Sequence, residues 1–119
     1  MTTLQGAKES PRIEKETLYW YEGNTFTLTW TLNLKDKLLQ EPIIISPEDT
    51  VSFNFYNANG NIVYSKSFTN IEDNTVDLNF DKETTSRFKT GEYTYCITYN
   101  GEYITTIGAV MKIVVEKCH

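Results

Sequence analysis

The feature that most constrains the fold of this chain is a run of ten residues, 25–34, in which apolar and polar side chains alternate without a break. The apolar set is Phe26, Leu28, Trp30, Leu32 and Leu34, and the polar set is four threonines and one asparagine. Because neighbouring side chains of a β-strand point to opposite faces, this period of two places all five apolar side chains on one face. The run predicts a strand with one face in a core and the other in water, as in antiparallel sheets.

Shorter alternating segments separated by turn residues extend the same pattern along the chain. The predicted strands are residues 17–21, 25–34, 51–55, 61–68, 76–80, 92–99, 102–107 and 109–116. Residues 57–60 and the Asn100-Gly101 step are hairpin turns, and the polar residues 81–90 are a crossover between sheets. Seven or eight short strands without a helical pattern predict an all-β chain that forms an antiparallel two-sheet Greek-key sandwich.

Six residues are predicted to support this fold. They are Trp30, Phe53, Leu78, Gly91, Tyr93 and Tyr95. Trp30 lies at the centre of the alternating run, so we expect it between the sheets with Phe53, Leu78 and Tyr95 nearby. Tyr93 follows Gly91 at the start of a late strand, where a tyrosine-corner hydroxyl bonds to nearby backbone.

The first sixteen residues differ from the rest of the chain. They are polar, lack any apolar period and contain Gly6 and Pro11, which predicts a flexible N-terminal arm. Two interpretations stay open: a floppy terminus, or an arm that orders only against a neighbouring subunit. The folded domain is then residues 17–119.

The charge balance disfavours two classes of partner. The chain has 11 basic and 16 acidic residues, a net charge of −5. Nucleic acids and anionic membranes attract clustered Lys and Arg, so we expect neither as a partner. There is no apolar signal-peptide core in residues 1–15 and no apolar stretch of about 20 residues for a membrane helix. We therefore expect synthesis in a cytoplasm, with Cys96 and Cys118 as free thiols and Cys96 buried.

Residues suited to catalysis are scarce. The only histidine is the last residue, His119, where nothing fixes its geometry. The loop carboxylates are Asp36, Glu48, Asp49, Glu72, Asp73 and Asp81. A pair of carboxylates can hydrolyse glycosides or bind calcium, but these residues fit no calcium-loop spacing and are interpreted as solvated turn formers. The sequence predicts no catalytic residue, no metal, no cofactor and no enzymatic activity.

The candidate interface is the aromatic segment Leu18, Tyr19, Trp20 and Tyr21. Consecutive residues of a strand face opposite sides, so at least one large ring should lie outside the core. Exposed aromatic rings are typical of protein interfaces and of sugar-binding platforms. The alternative is that the N-terminal arm covers this strand.

Several short motifs resemble the small immunoglobulin-like modules of tailed bacteriophages and prophages. They are Thr84 with Phe88-x-x-Gly91-x-Tyr93-x-Tyr95-x-Ile97, Gly23-Asn24-Thr25-Phe26, Asp49-x-Val51-x-Phe53, and Gly101 with Thr105-Thr106-Ile107-Gly108. Across residues 23–115 the chain is similar to the N-terminal domain of upper baseplate proteins of phages that infect low-GC Gram-positive bacteria. It departs from them at residues 36–45, DKLLQEPIII, where a Gly-x-Pro-x-Asp-Leu-like segment is common, and in ending at His119 without a further domain.

The resemblance implies an immunoglobulin-like sandwich that serves as a structural protein of the virion. The expected location is the baseplate, neck, fibre adaptor or capsid decoration, after synthesis in the host cytoplasm. The expected partners are other virion proteins and copies of the same chain. The alternative function is a carbohydrate-binding or adhesin-like module, in which loop carboxylates and residues 19–21 grip a glycan.

Overall fold

The computed structural model describes residues 10–35, 41–106 and 112–117 of the chain. The strands are β1 (Arg12–Glu14), β2 (Thr17–Tyr21), β3 (Phe26–Thr31), β4 (Leu34–Lys35), β5 (Val51–Asn57), β6 (Ile62–Phe68), β7 (Thr75–Phe80), β8 (Gly91–Tyr99), β9 (Glu102–Thr106) and β10 (Lys112–Glu116). One single-turn helix, α1 (Lys82–Thr85), lies between β7 and β8 and is capped by the Asp81 carboxylate. The chain is mostly β, as the alternation predicts. The predicted break at Gly108 lies outside the described residues.

The larger sheet has the strand order β1-β2-β10-β8-β5-β6. One edge of β8 pairs with two strands: its first residues pair with β10 and its last residues pair with β9. β9 in turn pairs with β4. Between described strands the pairing is antiparallel except for β2 and β10, which run parallel with Thr17 opposite Lys112. The prediction of a purely antiparallel fold is therefore wrong at this pair, because the last described strand lies beside β2 in the same direction.

The smaller sheet consists of β3 and β7, with Phe26 opposite Phe80 and Thr31 opposite Thr75. After Thr31 the chain crosses to the larger sheet, where Leu34 pairs with Thr106. The predicted single strand over residues 25–34 is thus two strands. Burial still alternates through the crossing, since Leu32 and Leu34 are both buried.

The core lies between the inner faces of the two sheets. Trp30 from the smaller sheet is 7% exposed, and its ring centroid lies 5.3 Å from that of Phe53 and 5.1 Å from that of Tyr95 in the larger sheet. Phe53 and Leu78 are buried, and Tyr95 is half-buried against the same core cluster. The predicted position of Trp30 is confirmed.

The connection into β8 contains the predicted tyrosine contact. The Tyr93 hydroxyl donates to the backbone carbonyl of Lys89 at 2.7 Å, and Tyr93 is buried. Gly91 has a φ of +152°, which other residues rarely adopt. Tyr93 therefore closes the loop that carries the chain from one sheet to the other.

The predicted N-terminal arm needs a correction at its C-terminal end. Residues 1–9 lie outside the described residues, but β1 pairs antiparallel with β2 through a tight turn in which Lys15 and Glu16 have positive φ angles. The Ser10 hydroxyl accepts from the Tyr21 N–H at 3.1 Å and donates to the Asn24 side chain. Residues 10–16 therefore belong to the folded part, and the boundary at residue 16 is wrong for them.

Candidate interaction surfaces

The four residues predicted as an interface are divided by the two faces of β2. Leu18 and Trp20 point inward and are fully buried, whereas Tyr19 and Tyr21 are half-buried on the outer face. The Trp20 ring centroid lies 5.1–5.4 Å from those of three core phenylalanines, Phe26, Phe80 and Phe88. The prediction is wrong for Leu18 and Trp20, because their face of β2 meets the apolar inner face of the smaller sheet.

The outer face of β2 carries a compact surface that we call the tyrosine face, formed by Arg12, Tyr19, Tyr21, Val114 and Glu116. Tyr19 lies between Arg12 and Val114 in the strand register. The Arg12 guanidinium carbon is 4.5 Å from the Tyr19 ring centroid, and Arg12 Nη2 is 2.8 Å from Glu116 Oε1. Arg12 also pairs with Glu14. These contacts hold the side chains in place on a multi-stranded sheet.

The composition of the tyrosine face is typical of protein-binding surfaces. Tyr and Arg are the residues most enriched at the centres of protein interfaces, because each combines a large contact area with a polar group. A guanidinium over an aromatic ring adds a cation–π attraction. Both groups are arranged on this surface before any partner binds, which lowers the entropy loss on binding.

Small polar side chains form hydrogen-bonded pairs on the outer faces of β5 and β6. The Ser52 and Ser67 hydroxyls are 2.8 Å apart, and the Ser65 hydroxyl donates to the Asn54 side chain at 2.7 Å. Cys96, on β8, is a free and exposed thiol, so its predicted burial is wrong. It occupies the outward position opposite Asn54, between the inward residues of β8.

The outer face of the smaller sheet is lined by threonines and their cross-strand partners. The Thr29 hydroxyl donates to the Asp77 carboxylate at 2.7 Å, and the Thr27 hydroxyl donates to the Asn79 side chain at 3.3 Å. In the described residues β3 and β7 each pair with only one strand, namely each other. This open edge was missed in the sequence, although the absence of any charge between residues 24 and 34 is a usable signal for it.

Loop carboxylates bind groups of the protein itself. Asp49 accepts from the Tyr99 hydroxyl at 2.6 Å, from the Ser46 N–H at 2.8 Å and from the Asn100 side chain at 3.1 Å. The Tyr99 bond and then the Ser46 bond hold the pKa of Asp49 below its ordinary value. The same bond raises the pKa of Tyr99 to about 12. Asp49 thus ties the loop before β5 to the β8–β9 turn.

Other carboxylates act in the same way at separate places. Glu22 accepts from the Thr90 N–H at 2.6 Å and from its hydroxyl, and these bonds lower the pKa of Glu22. Asp81 accepts from the Thr84 N–H at 2.8 Å, which lowers the pKa of Asp81. Asp36 lies outside the described residues. Across the described ranges, no group of three or more His, Cys, Asp or Glu residues is placed to hold a metal ion.

Comparisons with known proteins add no family. The chain matches no protein-family model, no curated protein and no solved structure. Of the helices described here, none has the length and apolar character to cross a membrane.

Proposed function

We propose that this chain is a non-enzymatic structural protein of a tailed-phage virion that acts through protein–protein assembly. Its place is the baseplate, neck, fibre adaptor or capsid decoration, and its partners are other virion proteins and copies of itself. It is made in the bacterial host cytoplasm and then enters the particle. We further propose that it folds as an immunoglobulin-like sandwich.

The strand order supports the immunoglobulin-like fold. The order β10-β8-β5-β6 corresponds to strands G, F, C and C′ of a variable-type domain. The β3–β7 pair corresponds to strands B and E of the opposite sheet. The Tyr93 hydroxyl bond to the Lys89 backbone, near the start of β8, corresponds to the tyrosine corner. The chain departs from antibody domains at Cys96, which lies exposed on the outer face as a free thiol.

The observation that carries the assembly role is the tyrosine face. An arginine stacked on a tyrosine, beside Val114 and a second tyrosine, forms an ordered aromatic surface on the outside of the larger sheet. A structural protein needs only such a rigid binding surface and no catalytic groups. Ser52, Asn54 and Thr94 make neighbouring strands of this outer face polar, as is the rim of an interface.

The test replaces Tyr19 with alanine in the phage or prophage that encodes the chain. We expect the wild-type chain in purified particles by mass spectrometry, and the Tyr19→Ala chain at less than about one tenth of that level, since a central interface residue contributes about 2 kcal/mol or more. Thr94→Ala, on the same outer face, is the matched control and should incorporate normally. Absence of the wild-type chain from particles contradicts the proposal.

The same variant also tests the carbohydrate-binding alternative. With Trp20 buried, the glycan would have to rest on Tyr19 and Tyr21, which lie two positions apart on one face. A monomeric chain that retains a glycan on an array, and loses it with Tyr19→Ala while Thr94→Ala binds normally, establishes that alternative instead.

A further inference from the structure

The outer edge of β3 presents backbone groups that pair with no described strand. The Leu32 N–H donates to the Asn74 carbonyl at 2.7 Å, which makes these two residues a hydrogen-bonded pair. Such pairs alternate along antiparallel strands, so Trp30, Leu28 and Phe26 also direct their backbone groups toward β7. The threonines between them, Thr27, Thr29 and Thr31, direct their N–H and C=O groups away from β7. No described strand pairs with them there.

The core is also less covered on this side. Phe26 and Leu28 are half-buried, while Phe80 and Leu78, their register partners on β7, are fully buried. The difference follows from position, because among the described strands β3 has a neighbour on one side only. Apolar area that stays accessible at the edge of a core is removed from water when another strand adds there.

Both strands of the smaller sheet pack on β2 of the larger sheet. The rings of Phe26 on β3 and Phe80 on β7 lie 5.2 and 5.1 Å from the Trp20 ring, and Phe80 also contacts Tyr64 of β6, with ring centroids 6.3 Å apart. On β1, at the edge of the larger sheet, Ile13 is 58% exposed. Apolar surface is therefore accessible at the edges of both sheets.

The sequence of β3 is symmetric about Leu28. The order is Thr25, aromatic, Thr27, Leu28, Thr29, aromatic, Thr31, and residues 24–34 contain no charge. A second copy placed antiparallel about a two-fold axis at Leu28 brings Thr27 opposite Thr29 and Phe26 opposite Trp30. The threonines are the residues whose backbone groups point outward, so this register satisfies the hydrogen-bond pattern. Threonine pairs and aromatic pairs both stabilise antiparallel strands.

We propose that a second copy of this chain docks on the free edge of β3, forming a continuous four-stranded sheet, β7-β3-β3-β7, across a two-fold axis. This inference deepens the proposed function by naming one surface through which copies of the chain associate. The contact is isologous, so each copy contributes the same strand. It leaves the tyrosine faces of both copies available to other virion proteins.

Residues 1–9 are the competing occupant of this edge. Ser10 is held beside Asn24, close to the start of β3, so the preceding nine residues are within reach of it. Their sequence, MTTLQGAKE, has one large apolar residue, Leu4, besides Met1, and it lacks the alternation that would cover both Phe26 and Leu28. The symmetric β3 strand of a second copy fits the edge better.

The experiment measures self-association by sedimentation velocity over a concentration series. We expect a reversible wild-type dimer. Thr29→Pro removes an outward N–H without breaking a β3–β7 hydrogen bond, so it should abolish the dimer. Thr27→Lys with Thr29→Lys places like charges opposite each other across the axis and should weaken the dimer on the order of tenfold.

A charge-reversed pair tests the register itself. Thr27→Glu with Thr29→Lys places opposite charges across the axis, and the lysine also lies opposite Asp77 in its own chain, so dimerisation should return to near the wild-type level. Thr94→Lys with Thr98→Lys, on the internal strand β8, adds the same charge as the double-lysine variant and should leave the dimer unchanged. The rescue by the charge-reversed pair tests the β3 contact even if the Thr29→Pro variant fails to fold.

Three results overturn the proposal. They are a wild-type chain that stays monomeric up to about 1 mM, a dimer that none of the β3 changes weakens, and a dimer that appears only after deletion of residues 1–9. Particle incorporation is scored in parallel. A monomer that enters particles contradicts β3 pairing and supports the virion role, whereas a β3 dimer that enters no particle supports the pairing and contradicts the virion role.

Discussion

The edges of the two sheets differ in how they discourage contact with another chain. The larger sheet ends at β1, which has three residues including Arg12 and Glu14, and at β6, which carries Lys66 and pairs with β5 through a bulge between Phe55 and Tyr56. Short strands, charges and bulges are the usual protections of a sheet edge. β3 has six residues, no charged side chain and no bulge in its pairing with β7, so it lacks these protections.

This difference indicates where a partner strand can add. A chain with an unprotected edge tends to aggregate unless that edge is occupied, so unprotected edges are kept where they are used. Among the described strands the smaller sheet also has only one ladder of backbone hydrogen bonds, and side-chain packing attaches it to the larger sheet.

The largest expected effect is that of Trp30→Ala. Trp30 fills the space between β3 and the inner face of the larger sheet, so its removal leaves a cavity and loses contacts with Phe53 and Tyr95. We expect the free energy of unfolding to fall by about 3–5 kcal/mol, measured by urea denaturation. Ile44→Ala, at a residue 86% exposed, should change it by less than about 0.5 kcal/mol. Equal effects of the two changes would show that β3 is not packed as described.

An intermediate effect is expected from Tyr93→Phe. The change removes the hydroxyl that donates to the Lys89 carbonyl, at the point where the chain passes from the smaller to the larger sheet. We expect a loss of about 0.5–1.5 kcal/mol of unfolding free energy, the usual net contribution of one hydrogen bond. A melting temperature that matches the wild type would show that this hydrogen bond does not stabilise the fold.

The smallest effect concerns the Asp49–Tyr99 pair in the loops of the larger sheet. The raised pKa of Tyr99, about 12, stabilises the folded state below the ordinary tyrosine pKa of about 10. This contribution is lost as pH rises between these two values. The lowered pKa of Asp49 contributes above the ordinary aspartate pKa and is lost as pH falls through its folded value.

Tyr99→Phe removes the tyrosine contribution and the largest part of the aspartate contribution, while the Ser46 and Asn100 bonds to Asp49 remain. The variant should lose less stability than the wild type between about pH 10 and 12, and the pKa of Asp49 should rise toward its ordinary value. Urea denaturation across the alkaline range and NMR titration of Asp49 measure the two effects. Identical pH profiles of the two proteins would contradict the contact.

Much of the strand pattern could be predicted from the local alternation of apolar and polar residues. In β5 and β7 apolar and polar residues alternate, so Val51, Phe53, Leu78 and Phe80 could be placed in the core before the structure was known. In β2 the segment TLYWY is apolar or aromatic at almost every position. Both faces therefore satisfy the pattern, and only the packing of Trp20 against the smaller sheet decides which face is inside.

Two other features have no local signal in the sequence. The alternation of residues 25–34 continues unchanged where the chain leaves β3 for the larger sheet, because Leu32 and Leu34 stay buried after the crossing. The parallel pairing of β2 with β10 joins strands that are about ninety residues apart. Such pairings depend on the packing of the whole chain and are not visible in local patterns.

Amide hydrogen exchange along β3 measures directly whether a second copy docks on the free edge of this strand. At low concentration the amides of Thr27, Thr29 and Thr31 should exchange fast, while those of Leu28 and Trp30, which donate to β7, should exchange slowly. As concentration rises and the second copy docks, the threonine amides should become protected to a similar degree, and Thr29→Pro should prevent this for Thr27 and Thr31. Threonine amides that exchange at one rate at every concentration, in a chain that nevertheless forms dimers, would contradict docking at the β3 edge.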